Sequence, residues 1–161
     1  MDKPAEHLGA LIYYLDVDKD QWKEQVQSLI PGCTIERNPQ ITIVYGLDHS
    51  LVDLEKLIQI VHGKTLDITL GEIGIFNNDT DIVYIKVQSI DVELLNHTLR
   101  HSFPYANQYK EYTPHITLGF ANHGASDHLI GYNPGADSLG LTQPIAGSFY
   151  YLTPDKKRIL L

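Results

Sequence analysis

Residues able to move a proton or hold an anionic oxygen recur at matched positions in this chain. The stretch Thr113-Pro114-His115-Ile116-Thr117-Leu118-Gly119-Phe120 sets a histidine and a threonine two residues apart on an apolar run. Strand side chains alternate between faces, so His115 and Thr117 share one face, and Ile116, Leu118 and Phe120 share the other. An imidazole gives or takes a proton near neutrality, and a hydroxyl can hydrogen-bond a negatively charged oxygen. Upstream, Asn38-Pro39-Gln40-Ile41-Thr42-Ile43-Val44-Tyr45-Gly46 repeats the arrangement. With the two prolines aligned, Ile41 matches Ile116, Thr42 matches Thr117, and Tyr45 stands where Phe120 does. Gln40 takes the place of His115; its amide can donate or accept a hydrogen bond but cannot exchange a proton near neutrality. If the halves of the fold face each other, Gln40, Thr42, His115 and Thr117 point at one cleft. Tyr45 and Phe120 alternate away from it and are assigned to the core.

The elements that must position these strands follow from periodicity. Gly9 to Leu15 is a short apolar and aromatic run, a buried strand. Trp22, Val26, Leu29 and Ile30 recur at helical spacing, and Pro31-Gly32 ends that helix. The first motif strand covers roughly Gln40 to Leu47. Ser50 precedes Asp53 as in a capping box, ahead of a stripe of Leu51, Leu54, Ile58 and Val61. Strands from Thr65 to Phe76 and from Asp81 to Val87 are joined by Asn77-Asn78-Asp79-Thr80, residues suited to a tight turn. A helix beginning at Asp91 buries Val92, Leu95, Leu99 and Phe103, and a polar loop through Tyr112 leads to the second motif. Residues 122–140 read as a long loop, of the kind that often acts as a lid. Two further strands follow, Pro144 to Thr153 and Arg158 to Leu161, around the turn Thr153-Pro154-Asp155-Lys156-Lys157. Strand-helix-strand units close on a motif strand in each half. The expectation is one domain over residues 1–161, of α+β class: two pseudo-symmetric lobes, each a small, mainly antiparallel sheet with outer helices, and a cleft between them.

The duplicated pattern, with a proline before each copy, resembles the two-histidine (2H) phosphoesterase superfamily, and the resemblance covers most of the chain in order and spacing. That superfamily includes RNA ligase-like and cyclic phosphodiesterase enzymes, and viral nucleases that destroy cyclic oligonucleotide alarm signals. The resemblance implies a phosphodiesterase that uses no metal and no other cofactor. In such a reaction a ribose 2′-hydroxyl loses a proton as it attacks phosphorus, and the leaving 5′-oxygen gains one. His115 would serve one of these transfers, and Thr42 and Thr117 would hydrogen-bond the non-bridging oxygens. The expected partner is a small nucleotide or cyclic oligonucleotide. Gln40 stands where the family has its first histidine. One missing proton-transfer partner typically costs ~10²–10⁴ in rate. Either the chain is a natural relative that binds without cleaving, or a catalytic histidine has been replaced so that substrate is trapped.

Composition narrows the classes. The 161 residues are 43% hydrophobic and 20% charged, ordinary values for a globular protein. The net charge of −8 repels a long nucleic acid but not a small nucleotide in a local pocket. The single cysteine, Cys33, is expected to be a buried, unreactive thiol. No apolar run reaches the ~20 residues that span a bilayer, and Met1 to Glu6 lacks an apolar signal region. The expected setting is cytoplasmic, the host cytoplasm for a viral protein.

The other candidates have structural explanations. Asp16-Val17-Asp18-Lys19-Asp20 lacks the glycine and glutamate of a calcium loop, with Gln21 and Gln27 in their places, so helix capping accounts for it. His97 and His101 lie opposite the Val92-Leu95-Leu99 stripe, on a solvated face. His123 and His128, in the long loop, either touch substrate or are exposed. Lys156, Lys157 and Arg158 read as a solvated turn able to attract phosphate. Among ten tyrosines, Tyr13-Tyr14 and Tyr150-Tyr151 form adjacent pairs on strands. One of each can stack a nucleobase at the cleft, and Tyr13 and Tyr151 are the expected pair.

Overall fold

The computed structural model describes residues 7–106 and 111–161; the first six residues and residues 107–110, part of the polar loop before the second motif, lie outside the described residues. The described chain runs β1 (Leu8–Leu15), α1 (Lys19–Leu29), β2 (Thr34–Ile35), β3 (Gln40–Asp48), α2 (Leu54–Val61), β4 (Thr69–Phe76), β5 (Thr80–Gln88), α3 (Ile90–Ser102), β6 (His115–Asn122), β7 (Gly147–Leu152) and β8 (Arg158–Leu160). The fold is α+β. All described strands pair antiparallel in one sheet, in the order β4-β5-β6-β3-β1-β7-β8, with β2 on β6. The two expected lobes are therefore continuous. One is β4-β5-β6, the other β3-β1-β7-β8, and the motif strands β3 and β6 form the seam.

Local chemistry explains the helix boundaries. The Asp18 carboxylate accepts hydrogen bonds from the Asp20 and Gln21 amides at 3.0 Å, so the aspartate run does cap α1. Ser89 caps α3 by accepting from Val92 N at 3.1 Å. In α2 the expected cap shifts: Asp53 itself accepts from Lys56 N, while His49–Leu51 form a separate 3-10 turn. Leu51 is thus out of phase with the helix and exposed, Ile58 is also exposed, and α2 buries Leu57 and Val61.

The core lies on one face of the sheet, where Leu11, Tyr13, Ile41, Ile43, Val83, Ile85, Ile116 and Leu118 meet Trp22, Val26, Leu57, Val92 and Leu99 from the helices. The helix of each half reaches toward the motif strand of the other. Trp22 Nε1 of α1 donates to Glu36 O just beyond β2, and the Ile30 side chain lies against Gly119 of β6. From the other half, Asn96 of α3 is buried and its Nδ2 donates to Ile43 O of β3 at 2.8 Å. This exchange braces a seam whose strand register is carried, among the described residues, by the single pair Ile41–Ile116. The 122–140 segment forms two 3-10 turns. It lies along the edge of β4 through hydrogen bonds between Ile73 and residues 131 and 132, then buries Leu139 against α1.

Candidate functional site

Ile41 and Ile116 face each other across the seam, both fully buried. In an antiparallel pair, one residue to either side of them places Gln40 across from Thr117 and Thr42 across from His115. The four side chains share the face opposite the core, and all four residues are half-buried.

Each motif strand then carries a bulge at an equivalent point. Leu11 and Ile12 of β1 pair with Val44 and Thr42, leaving Ile43 as an extra residue in β3. Val83 and Tyr84 of β5 pair with Gly119 and Thr117, leaving Leu118 extra in β6. A bulge leaves backbone groups outside the ladder. Ile43 O takes the Asn96 amide, and Leu118 O takes the backbone N–H of Glu36 at 2.9 Å. We predict that Asn96→Ala, which leaves a buried carbonyl without its donor, lowers stability by about 1–3 kcal/mol in urea unfolding. Unchanged unfolding would show that the bulge does not depend on α3. The bulges also correct the expectation for Tyr45 and Phe120. An extra residue reverses the alternation beyond it, so both rings turn to the motif face, half-buried, instead of into the core.

His115 Nδ1 lies 2.8 Å from Thr113 O. A carbonyl only accepts, so Nδ1 carries a proton, and in the neutral ring the lone pair is on Nε2. Phe76 and Tyr84 each meet the imidazole edge-to-face at 5.2 Å and stack on each other at 4.2 Å. Tyr84 can lie this way because Gly74 is beneath it; a Cβ there would sit 2.5 Å from the ring. Lys86 pairs directly across from His115 and bonds Glu72 at 2.9 Å, which raises the Lys86 pKa. On the β3 side, Tyr112 Oη donates to Thr42 O at 2.7 Å, and burial raises its phenol pKa. The Gln40 amide oxygen is shut off from solvent with no hydrogen-bond partner among the described residues. Phe76, Tyr84, Lys86 and Glu72 were not among the sequence candidates. The alternation of Tyr84 and Lys86 along β5 was visible, but not the pairing that sets them beside His115.

The choice of Tyr13 and Tyr151 as stacking residues is overturned. Tyr13 is 3% exposed and Tyr151 0%, both within the core. Tyr14 pairs opposite Gln40 and so takes the motif face, and Tyr150 pairs with Ile12 on that same face. Tyr151 instead lies over Gly9 and meets His49 Nδ1 at 2.8 Å, and burial pushes its hydroxyl up to about 12.

The remaining candidates divide. Cys33 is half-buried, against Ser126. His101 Nδ1 donates to His97 O within α3, both residues exposed, and no cluster of three metal-ligating side chains exists among the described residues. His128 is exposed in a 3-10 turn. His123 follows β6 directly and donates from Nδ1 to Asn78 O and Asp81 Oδ1, each at 3.1 Å. Asp81 is fully buried and also accepts from Gly124 N and Asn78 N. The Gly124 amide foremost, with those of Asn78 and the His123 ring, holds its carboxyl at about 2, and Asp81 raises the His123 pKa. This cluster fastens the β4–β5 turn to the end of β6. The lowered carboxyl stabilises the fold above the ordinary carboxylate range, an effect lost as pH falls toward about 2. The raised imidazole stabilises it below the ordinary histidine range, an effect lost as pH rises through the raised value. We predict that His123→Ala lowers the melting temperature more at about pH 5.5 than at about pH 9. An equal loss at both would remove the ion pair from the account.

Among the described residues, no helix is long and apolar enough to cross a membrane. No curated protein matches the chain. The 2′-5′ RNA ligase superfamily matches residues 37–130, more than half of the chain and a span that includes both motif strands and everything between them. That family supports a phosphodiesterase or ligase-like activity. The paired motif strands at the seam of one antiparallel sheet and the match across them agree: this chain belongs to the 2′-5′ RNA ligase superfamily of 2H phosphoesterases.

Proposed function

We propose that the chain is a metal-independent phosphodiesterase for short or cyclic oligonucleotides of 3′–5′ linkage, with turnover lowered by Gln40. The substrate's 2′-hydroxyl attacks phosphorus and gives up its proton, the P–O5′ bond breaks, and O5′ takes a proton. A 2′,3′-cyclic phosphate results. His115 is one proton-transfer group, and Thr42 and Thr117 hold the non-bridging oxygens. Degrading a cyclic oligonucleotide alarm signal, and so blunting nucleotide immune signalling, is the role that this chemistry fits.

The observation that carries the reading is the register of the seam: it brings two hydroxyls and an imidazole with a directed Nε2 onto one half-buried face. A second reading, binding without cleavage, draws on Gln40 itself, whose amide can hydrogen-bond a ligand but cannot exchange a proton near neutrality. The test incubates the chain and its Gln40→His variant with a panel of cyclic di- and trinucleotides, following binding by calorimetry and products by chromatography. The phosphodiesterase reading expects both to bind the same ligand and the variant to degrade it much faster. Binding with no product from either favours the binder, and binding by neither ends both readings.

A further inference from the structure

Beside the first motif strand lies a cavity of about 280 Å³ that the chemistry above leaves unused. Its walls include Tyr14, Tyr150, Arg158, Lys19 and Asn38, with Asp16 at one side. Tyr14 and Tyr150 meet edge-to-face at 5.1 Å. The Arg158 guanidinium reaches back from β8 to lie 4.9 Å over the Tyr14 ring. Lys19 Nζ is steadied by Asn38 Oδ1 at 2.7 Å, two residues before Gln40. Two cations and two aromatic rings thus gather in a chain whose net charge is −8, with Tyr14 of β1 directly opposite Gln40. Of the basic turn residues, Lys157 pairs with Asp155 at 3.8 Å, while Arg158 serves this cavity.

Aromatic faces take bases with little regard to sequence, and a guanidinium takes a phosphate in two-point geometry. We propose that this cavity is the subsite for the nucleotide next to the scissile linkage, its base against Tyr14 and Tyr150 and its phosphate on Arg158 and Lys19. The inference rests on the phosphodiesterase reading for the position of the scissile linkage. It makes the preferred ligand a dinucleotide or larger, one phosphate at the seam and the next in the cavity.

The test titrates the chain with two linear diadenylates, pApA and ApA, which differ by the terminal phosphate. It repeats both titrations with Arg158→Ala, Arg158→Lys, Tyr14→Ala and His115→Ala. Melting curves confirm that each variant is folded. The expected result is tighter binding of pApA than of ApA by tenfold or more. Arg158→Ala should abolish that preference, and Arg158→Lys should keep part of it. Tyr14→Ala should weaken both ligands tenfold or more, and His115→Ala should keep the preference. If Arg158→Ala and Tyr14→Ala bind like the unchanged chain while His115→Ala weakens both ligands, the subsite is wrong and the seam reading stands. If the unchanged chain binds both diadenylates but does not distinguish them, the phosphate role of Arg158 is wrong. If it binds neither, the subsite and the reading beneath it both fall.

Discussion

Replacing Gln40 by histidine is expected to raise cleavage of a 3′–5′ linked cyclic dinucleotide by about 10²-fold or more, the scale of one general acid or base. The gain follows from what the seam already supplies. Gln40 lies across from Thr117, as His115 lies across from Thr42, so the two positions are related through the Ile41–Ile116 pair. Both follow buried prolines, and both strands bulge three residues further on. Asn38, two residues upstream of position 40, stands where Thr113 does in the second motif, and the Thr113 carbonyl directs His115. The substitution also removes the amide oxygen now buried without a partner among the described residues. Initial rates by chromatography, with and without EDTA, measure the effect. Rates should be insensitive to the chelator, because both proton transfers are assigned to side chains. The pH–rate profile should become bell-shaped when a second proton-transfer group joins the first. A variant that binds the dinucleotide but cleaves it no faster than the unchanged chain would mean that the β3 half of the site is not arranged for proton transfer.

In the Gln40→His background, His115→Ala is expected to cost ~10²–10⁴ in turnover, since it removes the remaining member of the pair. The loss should fall on kcat more than on binding: in the proposed mechanism the ring acts through Nε2, and the aromatic wall of Phe76 and Tyr84 stays in place. Thr42→Ala and Thr117→Ala would each delete one proposed hydrogen bond to a phosphate oxygen and should slow turnover less. Single-turnover rates beside calorimetric affinities separate the two effects. If His115→Ala left the rate intact while a threonine variant abolished it, the proton-transfer role would pass to another group. Lys86, paired across from His115, would be the first to test.

What could be read without coordinates was set by local rules. The proline-led repeat, the two-residue spacing of His115 and Thr117, the caps at Asp18 and the turn at Asn77–Thr80 depend on neighbours a few residues away. The pleat puts alternate side chains on opposite faces whatever the partner strand is. The family resemblance rested on the same short-range signal, and the match over residues 37–130 agrees with it. The tyrosines mark where this reasoning stops. Alternation says that Tyr13 and Tyr14 face opposite ways; which of them meets the helices depends on β1 pairing with β3 and with β7, about 30 and 135 residues along the chain. Tyr45 and Phe120 were misplaced because alternation assumes an unbroken ladder. The bulges at Ile43 and Leu118 depend on donors from Asn96 and Glu36, distant in sequence from the carbonyls they satisfy. His123 took its partners, Asn78 and Asp81, from 45 and 42 residues earlier. The sequence by itself determined which residues could do chemistry and which neighbours share a face. Tertiary structure alone decided which face is open and what stands beside His115, because register is a property of strand pairs and is settled by long-range packing.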